Sequence, residues 1–486
     1  MPAALVLAAL VALAPTDTIV VGTLSDPSSL APHRATDLVA AEIVANVCET
    51  LVRFRTGSLR PEGVLATAWA TPDQRVWTLT LREGVVFHDG AAFDAAAVAA
   101  NLEHLRDERG FPGRAEPVGP HVVEITLERP NAALLSTLSQ PFFAMQSPRR
   151  LTARPETPVG TGPFRLAATG PGRIELAAVD GHWAGTPRVK RVVFRRFADE
   201  RALARALASG EADVTAALGP DRAAELRAGA DVTLDAQAGL SLTYLAVNNE
   251  RSPFSEAPVR RALSRAIDRA RLVRDLLAGH AEPAHAALPP MLLGPDTRAR
   301  KLVLDRDAAR QLLADAGVPP GFQTTLTVSR APRPYLLEPL LAAARIRDDL
   351  ARVGLVVRLR EIPSWAEQVA ITSRGDFELA LLGWRADSLD PNDFLTALVD
   401  SGSIGATNRS RYRSAEMDGL LKRARQDKAP GVRLSLYRQA QDLVQSDMPF
   451  VPLYHSSVFT AYRRELRGLV IGPTGVLRYD KAWKQP

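Results

Sequence analysis

The sequence predicts a mixed α/β fold in more than one domain, and three observations carry that expectation. Segments with the period-2 alternation of strands and segments with helical spacing follow one another along the whole chain. At 486 residues with 46% hydrophobic content, the chain can bury more than one core. No internal repeat and no low-complexity linker interrupts the pattern.

From the N-terminus, Met1 to Ala14 is an apolar run without a charged side chain that ends in Ala12-Leu13-Ala14. It reads as the apolar core and small-residue cleavage site of a secretory signal peptide over 1–16, and it is too short to span a bilayer. Thr18 to Val21 is a short β-branched strand that leads into the polar loop Gly22-Thr23-Leu24-Ser25-Asp26, and a helix is expected from about Asp37 to Phe54. Val76, Thr78 and Thr80 alternate with Trp77, Leu79 and Leu81, the signature of a half-buried strand. Two turns follow, Arg82-Glu83-Gly84 and Phe87-His88-Asp89-Gly90, then a helix from about Ala95. Val122 to Leu127 alternates again, Pro130-Asn131-Ala132 opens a helix, and Pro158 to Phe164 is turn chemistry leading into a strand. Strands at 173–179 and 189–197 precede a helix over 200–209 that stops at Gly210. A strand at 242–248 precedes helical spacing over 259–276. Further on come helices at 307–316, 337–353 and 432–446 and strands at 324–328, 356–360 and 377–382.

The formal charge of +6 arises from 60 Lys and Arg against 54 Asp and Glu, dispersed without a dense basic block. Nucleic acid binding is therefore not expected, since phosphate tracking needs clustered cations. Cys48 is the sole cysteine, so no disulfide forms within the chain, and its apolar neighbours suit a small buried hydrophobe. His88-Asp89 could serve as a base, but no Gly-x-Ser-x-Gly elbow accompanies it and a His beside a turn is commonly a structural hydrogen-bonding residue. The eight His are scattered, with no His-Glu-x-x-His or Cys-x-x-Cys spacing; His280 and His285 flank Pro283 in what reads as a loop. No enzyme activity, cofactor or metal is expected.

The run Leu65-Ala66-x-x-Trp69, the strand over 76–81, and Leu81-Arg82-x-Gly84-Val85-x-Phe87-His88-Asp89-Gly90-x-x-Phe93 resembles the family 5 extracytoplasmic solute-binding proteins of ABC importers. Asn248 to Asp268, Gly160-Thr161-Gly162-Pro163-Phe164, the Asp-Gly-His-Trp over 180–183, and elements near 377–395 and 447–455 extend the resemblance over essentially the whole chain. It implies a periplasmic-binding-protein-like fold of two lobes with hinge crossovers near 248 and 456 and an inserted subdomain in the first lobe. Lobe I is expected at 17–46, 161–247 and 457–486, the inserted subdomain at 47–160, and lobe II at 248–456.

The resemblance also implies a role: reversible binding of a di- or oligopeptide in the interlobe cleft and delivery to ABC permease subunits. The protein is then expected to be a periplasmic monomer without a lipid anchor. A nickel chelate, opine or oligosaccharide in the same transport role, or a hydrolase on the same scaffold, are the alternatives. In the dipeptide binders a Gly-Trp-x-x-Asp loop and an Arg-Pro-Tyr element supply charges for the peptide ends, which carries over to Asp387 for the ammonium and Arg333 for the carboxylate. Tyr335 and Trp384 would wall the cleft, and the backbone at Leu382 and Gly383 would pair with the ligand's amides. Ser388-Leu389 stand where the dipeptide proteins have smaller residues.

Overall fold

The computed structural model describes residues 17–35, 37–54, 60–152, 157–227, 231–293, 300–386 and 388–485. The expected signal peptide over 1–16 lies outside these residues, as does Asp387. No described helix is long and apolar enough to cross a membrane.

A sheet of twelve strands runs through the molecule, and it divides into two halves that share one long strand, Phe450–Arg463. In the first half, Thr18–Thr23 pairs in parallel with Arg191–Arg196, and Arg173–Ala178 and Phe164–Gly170 extend that side. In the second half, Leu379–Arg385 lies between Gln323–Ser329 and Ser241–Val247. The parallel pair Gln323–Ser329 and Val356–Ile362 is joined by the helix Pro339–Ala351, the crossover that parallel strands require.

Periodicity explains why these strands are central. Leu242, Tyr244 and Ala246 enter one buried cluster while Leu245 and Val247 enter another, and the same split separates Ala380 and Leu382 from Leu379 and Leu381. Both faces of this sheet are covered, so its strands read as continuous apolar runs. A third core belongs to the four-stranded antiparallel sheet of Ala66–Ala70, Val76–Leu81, Val122–Leu127 and Gly113–Gly119, packed by the helix Ala95–Arg109. Here one face is wet: Trp77, Leu79 and Leu81 are buried and Thr80 is exposed. Asp94 caps this helix by accepting from Ala97 N (2.8 Å).

The long strand shows how the halves connect. Phe450 to Tyr454 pair with Ser241–Val247, and Ser457 to Arg463 pair with Val232–Ala238. The two partner strands are joined at Gly239 and Leu240.

Several elements differ from their sequence expectation for identifiable reasons. The first helix is Leu38–Val47 and stops at Cys48, which is extended, because Val52–Phe54 pairs instead with Pro61–Gly63. The helical stretch over 259–276 is two helices, Ala257–Ala266 and Arg269–Leu277, the second begun by Asp268 accepting from Arg271 N (2.9 Å). The helices Trp365–Arg374, Pro391–Val399 and Ala415–Gln426 were not anticipated, although Ser364, Asp390 and Ser414 cap them.

Candidate functional site

Between the halves lies a cavity of about 790 Å³, within the range of small-molecule sites. The first half supplies most of its wall, and the second half supplies Ser388 and Leu389. The cavity is charged. Glu49, Glu62 and Asp480 line it with Arg53, Arg82, Arg478 and Lys481.

Each of these side chains is placed by the fold. Glu49 follows the helix Leu38–Val47, and its Oε2 accepts from Trp183 Nε1 (2.8 Å) and Thr161 Oγ1 (2.9 Å). His182 Nε2 stands 3.6 Å from its other oxygen. The Arg82 guanidinium stacks over the Trp183 ring at 4.0 Å and donates from Nε to the Val64 carbonyl (3.0 Å), leaving a flat aromatic and cationic wall. Arg53 and Glu62 face each other across the Val52–Phe54 and Pro61–Gly63 pair and form an ion pair at 2.5 Å. Arg478 ends the short strand Leu477–Arg478, and burial, followed by nearby Arg53, lowers its pKa.

Beneath this floor the wall is braced by close approach. Gly160 and Gly162 pack on the end of the first helix, where Gly162 N donates to the Val47 carbonyl (2.9 Å). His88 Nε2 donates to the Gly162 carbonyl (2.9 Å) and burial lowers its pKa, so the ring is a neutral brace. Cys48 is also buried, which pushes its thiol pKa up and disfavours the reactive thiolate. Tyr479 donates to Glu42 behind the floor, and burial raises Glu42 to about 8, so this carboxyl is protonated at neutral pH.

On the opposite wall, Ser388 and Leu389 are held by their neighbours. Asp390 takes both its oxygens to Arg433 Nη2 (3.1 and 2.8 Å) and caps the helix Pro391–Val399 through Asn392 N (2.9 Å). These contacts anchor Asp390, next to Leu389. Asp387, the residue before Ser388, lies outside the described residues.

The other residues singled out from the sequence form a separate group. Arg333 lies over the rings of Tyr335 (6.0 Å) and Trp365 (5.1 Å). The Tyr335 ring packs directly on Gly383, where a Cβ would stand 2.2 Å from it; only glycine admits this contact. Leu382 is buried in the core, and its backbone pairs with Tyr244. Trp384 packs on the same core, its Nε1 shielded and without a partner. None of Arg333, Tyr335, Leu382, Gly383 and Trp384 lines the large cavity. Glu49, Arg82, Trp183, Arg478 and Asp480, which do line it, were not selected from the sequence. Two of them lie in sequence motifs, Arg82 in Leu81-Arg82-x-Gly84 and Trp183 as the aromatic after Asp180-Gly181-His182.

Comparison with known proteins decides the family. Residues 60–406 match the bacterial extracellular solute-binding proteins, family 5. The chain belongs to this family. Among its relatives, the di/tripeptide-binding protein 2 of Pseudomonas aeruginosa is 28% identical over 96% of this chain and 94% of its own. The glutathione-binding protein GsiB of Salmonella paratyphi A is 30% identical over 98% of this chain and 96% of its own. Among solved structures, HbpA2 from Haemophilus parasuis superposes with a TM-score of 0.90 at 26% identity, covering 96% of this chain and all of that one. As a family 5 solute-binding protein the chain works outside the cytoplasm, capturing a small solute for the permease of an importer.

Proposed function

We propose that this family 5 solute-binding protein binds a short peptide reversibly in the cavity between its halves. The observation that carries the reading is the mixed charge of a cavity of about 790 Å³, with both cations and carboxylates on its wall. A short peptide is a zwitterion with opposite charges at its ends, and such a wall can satisfy both. The names of the two relatives above agree with this class of solute. The role is binding without covalent chemistry, by a monomer with no affinity for nucleic acid.

Closure is the physical step. The long strand Phe450–Arg463 belongs to both halves, and a rotation near Ser456 and Gly239 would open the cavity without breaking either core. Ligand affinity then includes the free energy difference between open and closed states.

Asp387 adjoins Ser388 in sequence, and its proposed role is to hold the ligand's ammonium. Arg333, packed on Tyr335 and Trp365, would act by bracing the strand Leu379–Arg385 that leads to this loop. Asp387→Ala is expected to weaken a free-amine peptide by about tenfold or more, the scale for losing one partner of a desolvated charge pair. It should leave an N-acetylated peptide little affected. The test is a thermal-shift panel of dipeptides, tripeptides, metal chelates, sugars and hemin on both proteins. A ligand at 100 times its Kd adds about 2.7 kcal/mol of stability. Stabilisation by a chelate, sugar or hemin with none by peptides would overturn the reading.

A further inference from the structure

Three arginines buried elsewhere among the described residues, Arg260, Arg269 and Arg433, are well supplied with acceptors. Arg260 donates to the carbonyls of Phe254, Ser255, Asp447 and Met448, and Arg269 to those of Pro452 and Ser264 and to the Ser264 hydroxyl. Arg433 Nη2 donates to both oxygens of Asp390. These contacts supply the partners that a desolvated guanidinium needs.

Arg478 is placed differently. It lines the cavity, burial lowers its pKa, and among the described residues its guanidinium has neither a hydrogen bond nor an ion pair. Its cavity neighbours are committed elsewhere: Glu62 to Arg53, and Glu49 to Trp183 and Thr161. Two residues on, Asp480 also lines the cavity, and its Oδ1 is shielded from solvent with no partner. One wall therefore presents a cation without an acceptor beside a carboxylate oxygen without a donor. The shielded carboxylate oxygen costs free energy while unpaired, the half-buried guanidinium is free to take an acceptor, and one ligand that brings a carboxylate with an N–H next to it serves both.

We propose that Arg478 is the carboxylate anchor of the cavity, taking the free C-terminal carboxylate of a peptide while Asp480 accepts from the last amide N–H. The assignment rests on the peptide reading above and narrows it: the ligand must have an unblocked C-terminus. Arg333 lies outside the cavity lining, and the anchor thus moves from the second half of the molecule to the C-terminal segment of the first.

The test compares free and C-amidated forms of a peptide that binds, on wild type and on Arg478→Gln, by calorimetry. Amidation is expected to cost wild type about 10- to 100-fold in affinity, the range for a hydrogen-bonded charge. On Arg478→Gln the free peptide should bind as weakly as the amide does to wild type, with little further loss on amidation. Arg478→Lys should fall between. Equal binding of free and amidated peptide to wild type would overturn the assignment and leave the peptide reading standing. Undiminished free-peptide affinity in Arg478→Gln would do the same. Failure of every peptide to bind wild type would overturn both. Should Arg478→Gln not fold, the two peptides on wild type decide alone.

Discussion

Lys484→Met is expected to destabilise the protein by about 3 to 5 kcal/mol at pH 7, the scale for removing one partner of a buried ion pair. Lys484 Nζ lies 2.9 Å from Asp213 Oδ2, with side-chain exposures of 5% and 1%. The same oxygen accepts from Val20 N (2.6 Å), while Oδ1 has no partner. Burial already raises the pKa of Asp213, and Lys484 is the main influence pulling it back. A raised folded-state pKa means that Asp213 favours the folded state most when protonated, and that this contribution is lost as pH rises through the folded value. In Lys484→Met that value climbs further, so the deficit against wild type should be largest at neutral pH and shrink as the solution is acidified. Denaturant unfolding at several pH values checks this, and Asp213→Asn with Lys484→Met should recover much of the loss. A Met variant as stable as wild type at pH 7 would contradict the buried pair. Because Lys484 ties the last strand to the first sheet, the variant should also loosen segment 469–481, which lines the cavity.

The second large effect is expected at Gly160. A Cβ there would stand 2.3 Å from the Val47 carbonyl oxygen and 2.5 Å from Cys48 Cα, both backbone atoms, and 2.6 Å from Cys48 Sγ. No rotamer change relieves such a contact. Gly160→Ala must push the end of the first helix away, at about 3 kcal/mol or more, the upper range for overpacking. The displaced residues include Cys48 and Glu49 of the cavity wall, so ligand affinity should fall with stability. Unfolding midpoints and peptide titration read the two effects separately. An alanine variant with wild-type stability would show that the helix end has room the structure does not give it.

Much of this architecture was legible because local chemistry and burial agree. The alternation over Val76–Leu81 places Trp77, Leu79 and Leu81 in a core, and Asp199 and Gly210 bound a helix found at Glu200–Ser209. Where the two disagreed the sequence was ambiguous. Apolar residues continue past Val47 through Leu51 and Val52, so nothing local marks the helix end; the pairing with Pro61–Gly63 ends it. The two-sided sheet hides strand limits in a similar way, since Ser241–Val247 is buried throughout.

The site was legible in outline only. A loop motif led to the vicinity of Ser388 and Leu389, which do line the cavity. The side chains that face them come from four distant stretches, around Glu49, Arg82, Trp183 and Arg478, joined by no sequence spacing. Arg478 in particular is one arginine in a chain rich in them, and its place in the cavity wall sets it apart. Arg333 and Tyr335 carry a motif, and Tyr335 packs on Gly383.

The central claim is that a short peptide seats between the two halves, and calorimetric titration of the full chain with an unblocked tripeptide tests it most directly. The account predicts a single saturable site per chain, with a negative heat capacity change as apolar wall is removed from water. Absence of any heat or saturation across di- and tripeptides, with a sugar, chelate or hemin titrating to one per chain instead, would contradict it.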